Sequence, residues 1–571
     1  MHEPYRVLSE PDPFDPAISG LTELQLAQLR AAANYHVLMH PGAEIELRIS
    51  IGAVDQMPVL AGGVAVQDRA ARPESPKAEP AEQGATLDLR LQSTAVGKAG
   101  GKSNSQDEPA APVVRRVRLS HPDATIETTR PAVRQSLPRR GYDQLELRAP
   151  WLVDLVREGV TRRRERGIAG PLPRYPHGDV GGRLAAAVER APAPAPPREG
   201  APPAVLFGMH WLQPSGAERW AVETIGIAKS LGVTPIVVTD HDSVHPWLTR
   251  PELEGAIVVA LDEGHNAARS DEHANAELRL ARALLENFEL RGAVIHHGDW
   301  LYRALPYLKR HQPGLPVVDS LHVVEYLGGG FAGSSVAFDA FIDRHHVISP
   351  QLVDWLGEQG VDAAKIDLAP LAALTAGRER PFAAKGKDEP FTIAYIGRFS
   401  RQKRPDLFLA LANALQRQGV EFRAIMHGSG ECRPLVDSLI ERYGLAERVE
   451  LRDETTPVAE TLKQSHLLVI TSLNEGLTLT TFEAVAAGIP VLSADVGSQS
   501  TIVRGDLLVP RPAYAFLRAA GPLVAMYATG GTGAETLRKR AWRAQRDRVR
   551  EFSAHPDAHD YFEGVLTAWL R

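Results

Sequence analysis

Glu475 and Glu483 stand eight positions apart in "NEGLTLTTFEA", separated by a glycine, hydrophobic residues and three threonines. An apolar run, Leu467 to Ile470, precedes them and reads as a buried strand, while "AVAAG" behind them reads as a packed helix closed by Gly488. The pattern predicts Glu475 in the loop at the strand's carboxyl end and Glu483 one turn into the helix. In an open α/β sheet that edge is where ligands bind. A second reading stays open, because Thr480-x-x-Glu483 also fits a capping box, in which the glutamate only satisfies a backbone donor. Three other stretches carry complementary chemistry. "GRFSRQKRPD" (397–406) opens on Gly397 and sets Arg398 and Lys403 around a loop, a planar fork and a point charge that suit a diphosphate. "GMHWLQPSGAER" (208–219) is a turn containing Gly216 that leads into a helix, whose first amides suit a phosphate. "HGSGE" (427–431) places Gly428 and Gly430 where backbone can approach closely.

Strands must stand behind each of these loops. From 204 onward, short runs rich in β-branched residues alternate with helical stretches: 204–209, 234–240, 255–262, 292–297, 316–322 and 343–349. The pattern then restarts at 391–397, 422–428, 448–453, 465–472, 489–495 and 505–510, after the polar joint "APLAALTAGRERPFAAKGKDEP". Near-continuous apolar strands separated by crossovers require parallel sheets. Two doubly wound domains, 204–375 and 376–571, facing one another across a cleft are the economical architecture, with the last helix packing back on the first domain.

The first 200 residues read differently. "AEIELRISI", "TLDLRLQ" and "VRRVRLS" alternate with period two, as half-buried antiparallel strands do. The Pro-, Gly- and Ser-rich segments 69–84 and 93–112 between them read as flexible insertions. A β-rich accessory module over 1–189 is the expectation. It ends in the helix "APWLVDLVREGVTRRRERG", whose cluster of Arg162, Arg163, Arg164 and Arg166 reads as a solvated helix end, with peripheral membrane contact as the lesser alternative. "RAPAPAPPREGAPP" (190–203) reads as a semi-rigid proline linker, which predicts that the chain from about Pro202 folds alone.

Composition narrows the class. Hydrophobic content of 44% with 23% charged residues is ordinary for globular chains, so wholesale disorder is excluded. A net charge of −6 over 571 residues gives no sign of a nucleic-acid partner. The single cysteine, Cys432, excludes a disulfide framework and a multi-cysteine metal site. The opening residues lack a leader pattern and no run approaches a membrane span, so the expectation is a reducing, cytoplasmic protein, with the inner membrane face as a peripheral alternative. His296 and His297 look like metal ligands, but strand neighbours point to opposite faces, so no metal is assigned.

Taken in order, "PSGAER", "YIGRFSRQK", "HGSG", "NEGLTLTTFEA" and "GIPVLSADVGS" make residues 204–571 resemble the retaining glycosyltransferases of family 4, with their two-domain GT-B fold and E-x7-E signature. The resemblance implies that Glu475 accepts hydrogen bonds from the donor sugar and Glu483 from the nucleotide ribose. It implies that Arg398 and Lys403 neutralise the departing diphosphate, with the amides around Gly476, Leu479 and Thr480 facing phosphate oxygens. Gly216 would close over the distal phosphate, and His322 matches a histidine near the reacting sugar, although a structural role at a strand end stays open for it. The implied activity is metal-independent, retaining transfer of a sugar from a nucleoside diphosphate sugar, a co-substrate, to a glycan, lipid-linked or protein hydroxyl. No separate cofactor is implied, and a place in glycan or polysaccharide assembly follows by analogy. Two departures stand out: Ser215-Gly216 replaces the usual Gly-Gly, and Thr478 replaces the frequent glycine or proline. A nucleotide-sugar epimerase and a non-catalytic accessory subunit are the rival functions, and oligomeric state is left open.

Overall fold

The computed structural model describes residues 3–61, 87–97, 111–126, 128–129, 137–262, 271–371, 379–386, 389–453, 455–529 and 532–571. Most of the two insertions, 69–84 and 93–112, lies outside the described residues.

Two parallel sheets form the frame. The first has seven strands in the order β11-β10-β9-β8-β5-β6-β7. They are β5 (Pro203–Met209), β6 (Thr234–Thr239), β7 (Ile257–Ala260), β8 (Glu289–His296), β9 (Val317–Leu321), β10 (Arg344–Val347) and β11 (Ile366–Leu368). The second has six in the order β14-β13-β12-β15-β16-β17: β12 (Phe391–Ile396), β13 (Phe422–His427), β14 (Val449–Arg452), β15 (Leu467–Ile470), β16 (Val491–Ala494) and β17 (Leu508–Val509). Every pairing within these sheets is parallel. Their central strands are buried on both faces, which is why they read as unbroken apolar runs. Strand order reverses between β5 and β8 in one sheet and between β12 and β15 in the other. Such reversals open a crevice at the carboxyl ends. The chain therefore has the doubly wound, two-domain α/β architecture of the GT-B fold, preceded by a smaller sheet.

That smaller sheet holds β1 (Tyr5–Val7), β2 (Glu44–Ile51), β3 (Leu87–Ser93) and β4 (Val113–Leu119) in the order β1-β3-β2-β4. Its strands are not all antiparallel: β4 runs parallel to β2, on the side that β3 does not occupy. Local alternation sets which face is buried and leaves strand direction undetermined.

The proline stretch does not set this module apart. The Glu23–Met39 helix, opened by a Thr22/Gln25 capping box, is buried between its own sheet and the edge of the first domain. Asn34 Nδ2 donates to the β7 carbonyl of Val258 at 3.0 Å, and Gln28 Nε2 donates to Val244 O at 2.8 Å. Residues 190–203 lie along the Asp271–Asn287 helix, where Glu286 accepts from Ala195 N and Arg198 N and Tyr307 donates to Pro192 O. Proline content made the segment stiff, and stiffness served docking instead of separation. The helices Leu137–Arg148 and Pro150–Ile168 then reach the second domain.

At the other end, the Ala558–Trp569 helix returns to the first domain, with Phe562 against Trp220 and His346. Gly292 in β8 makes room for Trp569, since a Cβ there would sit 2.1 Å from the indole. Among the described residues, no helix is long and apolar enough to cross a membrane.

Candidate active site at the interdomain cleft

The loops after β12 and β15 flank the second sheet's reversal and are stitched together. Leu473 N donates to Gln402 O, Gln402 Nε2 to Asn474 O, and Thr471 Oγ1 to the carbonyls of Lys403 and Arg404. Within this frame Lys403 Nζ donates to both oxygens of Glu475, at 2.6 and 2.7 Å, and Ser472 Oγ donates to Oε1 at 2.5 Å. Glu475 is buried. Arg398 contrasts with Lys403: it is exposed and makes no ion pair with a described residue. Of the two cations assigned to the diphosphate, Lys403 is therefore answered by a carboxylate and Arg398 is not, among the described residues.

Gly428 and Gly430 serve the neighbouring loop first. Both have φ near +140°, and Cβ atoms there would lie 2.1 Å from Gly397 O and 2.7 Å from Phe399 O. Their shape lets Gly397 N donate to His427 O and Phe399 N to Ser429 O, so the two loops interlock. Cys432 is buried in the same junction, its thiol pushed up to about 11 by burial.

Glu483 lies in the Leu479–Ala486 helix, and the capping-box alternative fails. The N-cap is Thr478 without a side-chain bond to the helix amides; its hydroxyl meets Thr481 Oγ1 at 2.6 Å. Thr480 is already inside the helix. The Glu483 carboxylate instead faces Arg219 of the first domain at 3.8 Å, and burial raises its pKa against that arginine's pull. The Leu479 and Thr480 positions open this uncapped end, where helix amides have no intrahelical partner.

Across the cleft the first domain comes close. Gly476 packs on the His322 carbonyl, which a Cβ would meet at 1.9 Å, and Gly216, first residue of the Gly216–Ser230 helix, faces Leu479. Asn474 Nδ2 donates to Val324 O and Tyr326 Oη to Leu473 O. His322 is buried, 3.3 Å from Ser320 Oγ, and burial with His297 beside it holds its pKa well below the usual value, so the ring is neutral.

Sequence reasoning missed the residues next to it. His210 follows β5, and its Nε2 lies 3.0 Å from Glu218 Oε1, which also accepts from Trp211 Nε1. His297 follows β8 at φ +57°, a left-handed conformation rare for histidine, and stacks on Phe331 at 4.7 Å. Their signal was position: both directly follow the strands that bracket the first sheet's reversal. His296 and His297 do diverge, since His296 Nε2 meets Thr224 Oγ1 beneath the sheet at 2.7 Å. The described cluster with metal-ligand spacing, His559, Asp560 and Glu563, is on the terminal helix, with His559 3.8 Å from Glu223 of the Gly216–Ser230 helix. A surface pocket of about 640 Å³ opens between the Pro150–Ile168 helix and residues 510–512, but Arg511 on its wall is already held by Glu158 and Glu165.

Residues 378–509 match the family described as "Glycosyl transferases group 1". The D-inositol 3-phosphate glycosyltransferase of Gordonia bronchialis is 30% identical over 246 residues, 37% of this chain and 53% of that protein. The enzyme of the same name from Nocardia farcinica is 31% identical over 242 residues, again 37% and 53%. The chain thus spans about half the length of the curated relatives it matches. Among solved structures, Anabaena HepE in complex with UDP aligns with a TM-score of 0.47 at 15% identity, over 65% of this chain and 99% of that one. The family match falls on the second parallel domain and contains Arg398, Lys403, Glu475 and Glu483.

Proposed function

We propose that this protein is a retaining, metal-independent glycosyltransferase of family 4, acting on the cytoplasmic side in glycan or polysaccharide assembly. The observation that carries the reading is exposed Arg398, without an ion-pair partner among the described residues, in the same loop as Lys403 of the Lys403–Glu475 pair, at the reversal of one parallel sheet and facing the reversal of another.

In this reading the nucleotide ribose binds Glu483, and the diphosphate takes Arg398, the uncapped amides at Leu479 and Thr480, and the Gly216 turn. An ammonium has three protons. Lys403 gives two to Glu475 and keeps one for phosphate, while Glu475 keeps lone pairs for sugar hydroxyls. Charge grows on the leaving diphosphate in the transition state, so fixed cations there lower the barrier. The acceptor oxygen bonds to the anomeric carbon on the face that the diphosphate leaves, the carbon–oxygen bond to phosphate breaks, and the departing phosphate takes the acceptor proton.

A thermal-shift screen with UDP, GDP, ADP and their glucose esters tests this. A ligand at a hundred times its dissociation constant adds about 2.7 kcal/mol of stability. Stabilisation by none of them overturns the reading, and isomerised sugar without acceptor replaces it with an epimerase.

A further inference from the structure

Four adjacent strands of the first sheet, β6, β5, β8 and β9, each end at the cleft in a histidine or its neighbour: His241, His210, His297 and His322. Their rings form a row, 5.8 Å from His241 to His210, 6.1 Å from His210 to His297 and 5.0 Å from His297 to His322. Trp211 lies half-buried against His210 at 4.5 Å, and Phe331 packs on His210 and His297. Gly476, next to Glu475, sits on the His322 backbone, so the row faces the place assigned to the donor sugar.

The row keeps polar atoms without protein partners. Glu218 is 3% exposed, yet its Oε2 has no hydrogen bond; His210 Nδ1 and the buried His297 Nε2 have none either. A buried polar atom left unpaired is costly, and a ligand hydroxyl answers it. An imidazole nitrogen donates where it carries a proton and accepts where it does not, and the carboxylate accepts. That is the complement of hydroxyl groups beside an aromatic wall.

The charges around the row are mostly acidic. Burial pushes the Glu218 carboxyl's pKa up, but the His210 contact outweighs that and lowers it; Glu325 is at the rim near His210, its pKa raised by burial, and Asp240 and Asp299 stand behind His241. The nearby cation Arg303 is closed on both oxygens of Glu277, and Arg219 points across the cleft to Glu483. Among the described residues no lysine or arginine is in ring or ion-pair contact with His210, His297, His322 or Glu218.

Building on the glycosyltransferase reading, we propose that this row is the acceptor site and that its acceptor is an uncharged polyhydroxylated ring, a sugar or cyclitol, and not a phosphate ester of one. The ring lies against Trp211, and its hydroxyls bind Glu218, His210 and His297. A phosphate dianion would meet the Glu218 carboxylate at short range with imidazoles but, among the described residues, no lysine or arginine against His210 or His297 to offset it, and repulsion in the protein interior is strong.

The test measures transfer from whichever nucleoside diphosphate glucose stabilises the full-length protein. Acceptors are methyl α-glucoside and myo-inositol against glucose 6-phosphate and myo-inositol monophosphate. The expected kcat/KM is at least tenfold higher for the uncharged members. Glu218→Gln should narrow that preference, and both it and the half-exposed Trp211→Ala should raise acceptor KM at least tenfold while leaving UDP, GDP or ADP affinity unchanged. Preference for phosphate esters, or transfer to neither class while nucleotide still binds, overturns the inference and spares the donor reading. Failure of all nucleotides to bind removes the donor reading itself.

Discussion

Two regions of this molecule handle charge in opposite ways. Where the amino-terminal helices dock on the second domain, each key cation is answered from within. Arg511 holds Glu158 and Glu165 and reaches Tyr326 Oη at 2.9 Å; Arg401 meets Glu146 at 3.0 Å. Fully buried Arg404 has its Nη2 2.6 Å from Asp154 Oδ1, whose pKa burial raises against the arginine's pull. In the cleft, by contrast, exposed Arg398 has no ion-pair partner among the described residues, and Glu218 Oε2, His210 Nδ1 and His297 Nε2 have no hydrogen bond. Groups that answer one another hold the chain together, and buried polar groups left without a protein partner are the ones a ligand would satisfy. Arg404 and Lys403 are neighbours in one loop, so the first region also fixes the frame of the second.

The sharpest way to break this comparison is to remove the docked helices. A chain beginning at Pro202 would expose the β7 edge, leave Arg404 buried without its carboxylate and strip the first domain of the Glu23–Met39 helix. The expected result is insoluble protein, read by expression and light scattering. The proline composition pointed to the opposite outcome. A milder version is Asp154→Ala: an uncompensated buried charge costs about 3–5 kcal/mol, read by urea unfolding. A soluble, donor-binding truncation would show that the junction is ornamental.

Next in size is Arg398→Ala. An exposed, unpaired side chain should leave stability within about 0.5 kcal/mol of wild type, while turnover should fall by about two orders of magnitude if the arginine meets charge that develops as the diphosphate leaves. Lys403→Ala should lose turnover and stability together, because it also leaves buried Glu475 unpaired. Steady-state kinetics beside thermal unfolding separates the two, and equal stability losses would erase the distinction between answered and unanswered cations.

A smaller contrast lies within the glutamate pair. Glu483→Gln should weaken nucleoside diphosphate binding about ten- to a hundredfold, the worth of a charged hydrogen bond, with little change in stability, because burial already raises this carboxyl's pKa. Glu475→Gln should lower stability and transfer, since it breaks the contact with Lys403, yet change nucleotide affinity less. Calorimetric titration of both variants with the nucleotide decides.

Much of this frame was legible in the sequence. The twelve expected strands of the two parallel series are present, the central ones because a strand buried on both faces cannot avoid an apolar run, while β14 (VELR, one residue buried) followed from the alternation of strand and helix. β11, half-exposed at a sheet edge and three residues long, carries no such run. The direction of β4 was illegible because pairing between non-consecutive strands leaves no local mark. Loops after β12 and β15 could be read from glycines and charges. The Glu218, His210 and His297 group could not, because polar residues at strand ends resemble any loop until strand order shows which ends share a crevice. The docking of residues 190–203 was hidden for a related reason: proline sets stiffness and says nothing of what lies beneath.

The least effect concerns pH, and it sharpens the same contrast with a fully answered group. His345 is buried between Asp319, at 2.9 Å, and Asp339, at 3.0 Å. Burial pulls its pKa down, but Asp319 and Asp339 outweigh that and raise it to about 9. A raised histidine stabilises fully below its unfolded value, about 6.5, and that stability is lost as pH climbs through the folded value. His297, with its pKa lowered to about 4 by burial, acts with the opposite sign, and its share is lost below 6.5. Unfolding free energies from urea titration should therefore peak near neutrality and decline by on the order of 1 to 2 kcal/mol between pH 7 and 8.5. His345→Gln should flatten the alkaline decline while leaving the acid side in place. An unchanged alkaline slope in that variant, or in Asp339→Asn should glutamine not fit, would assign the decline to another group and leave His345 uncharged between its two aspartates.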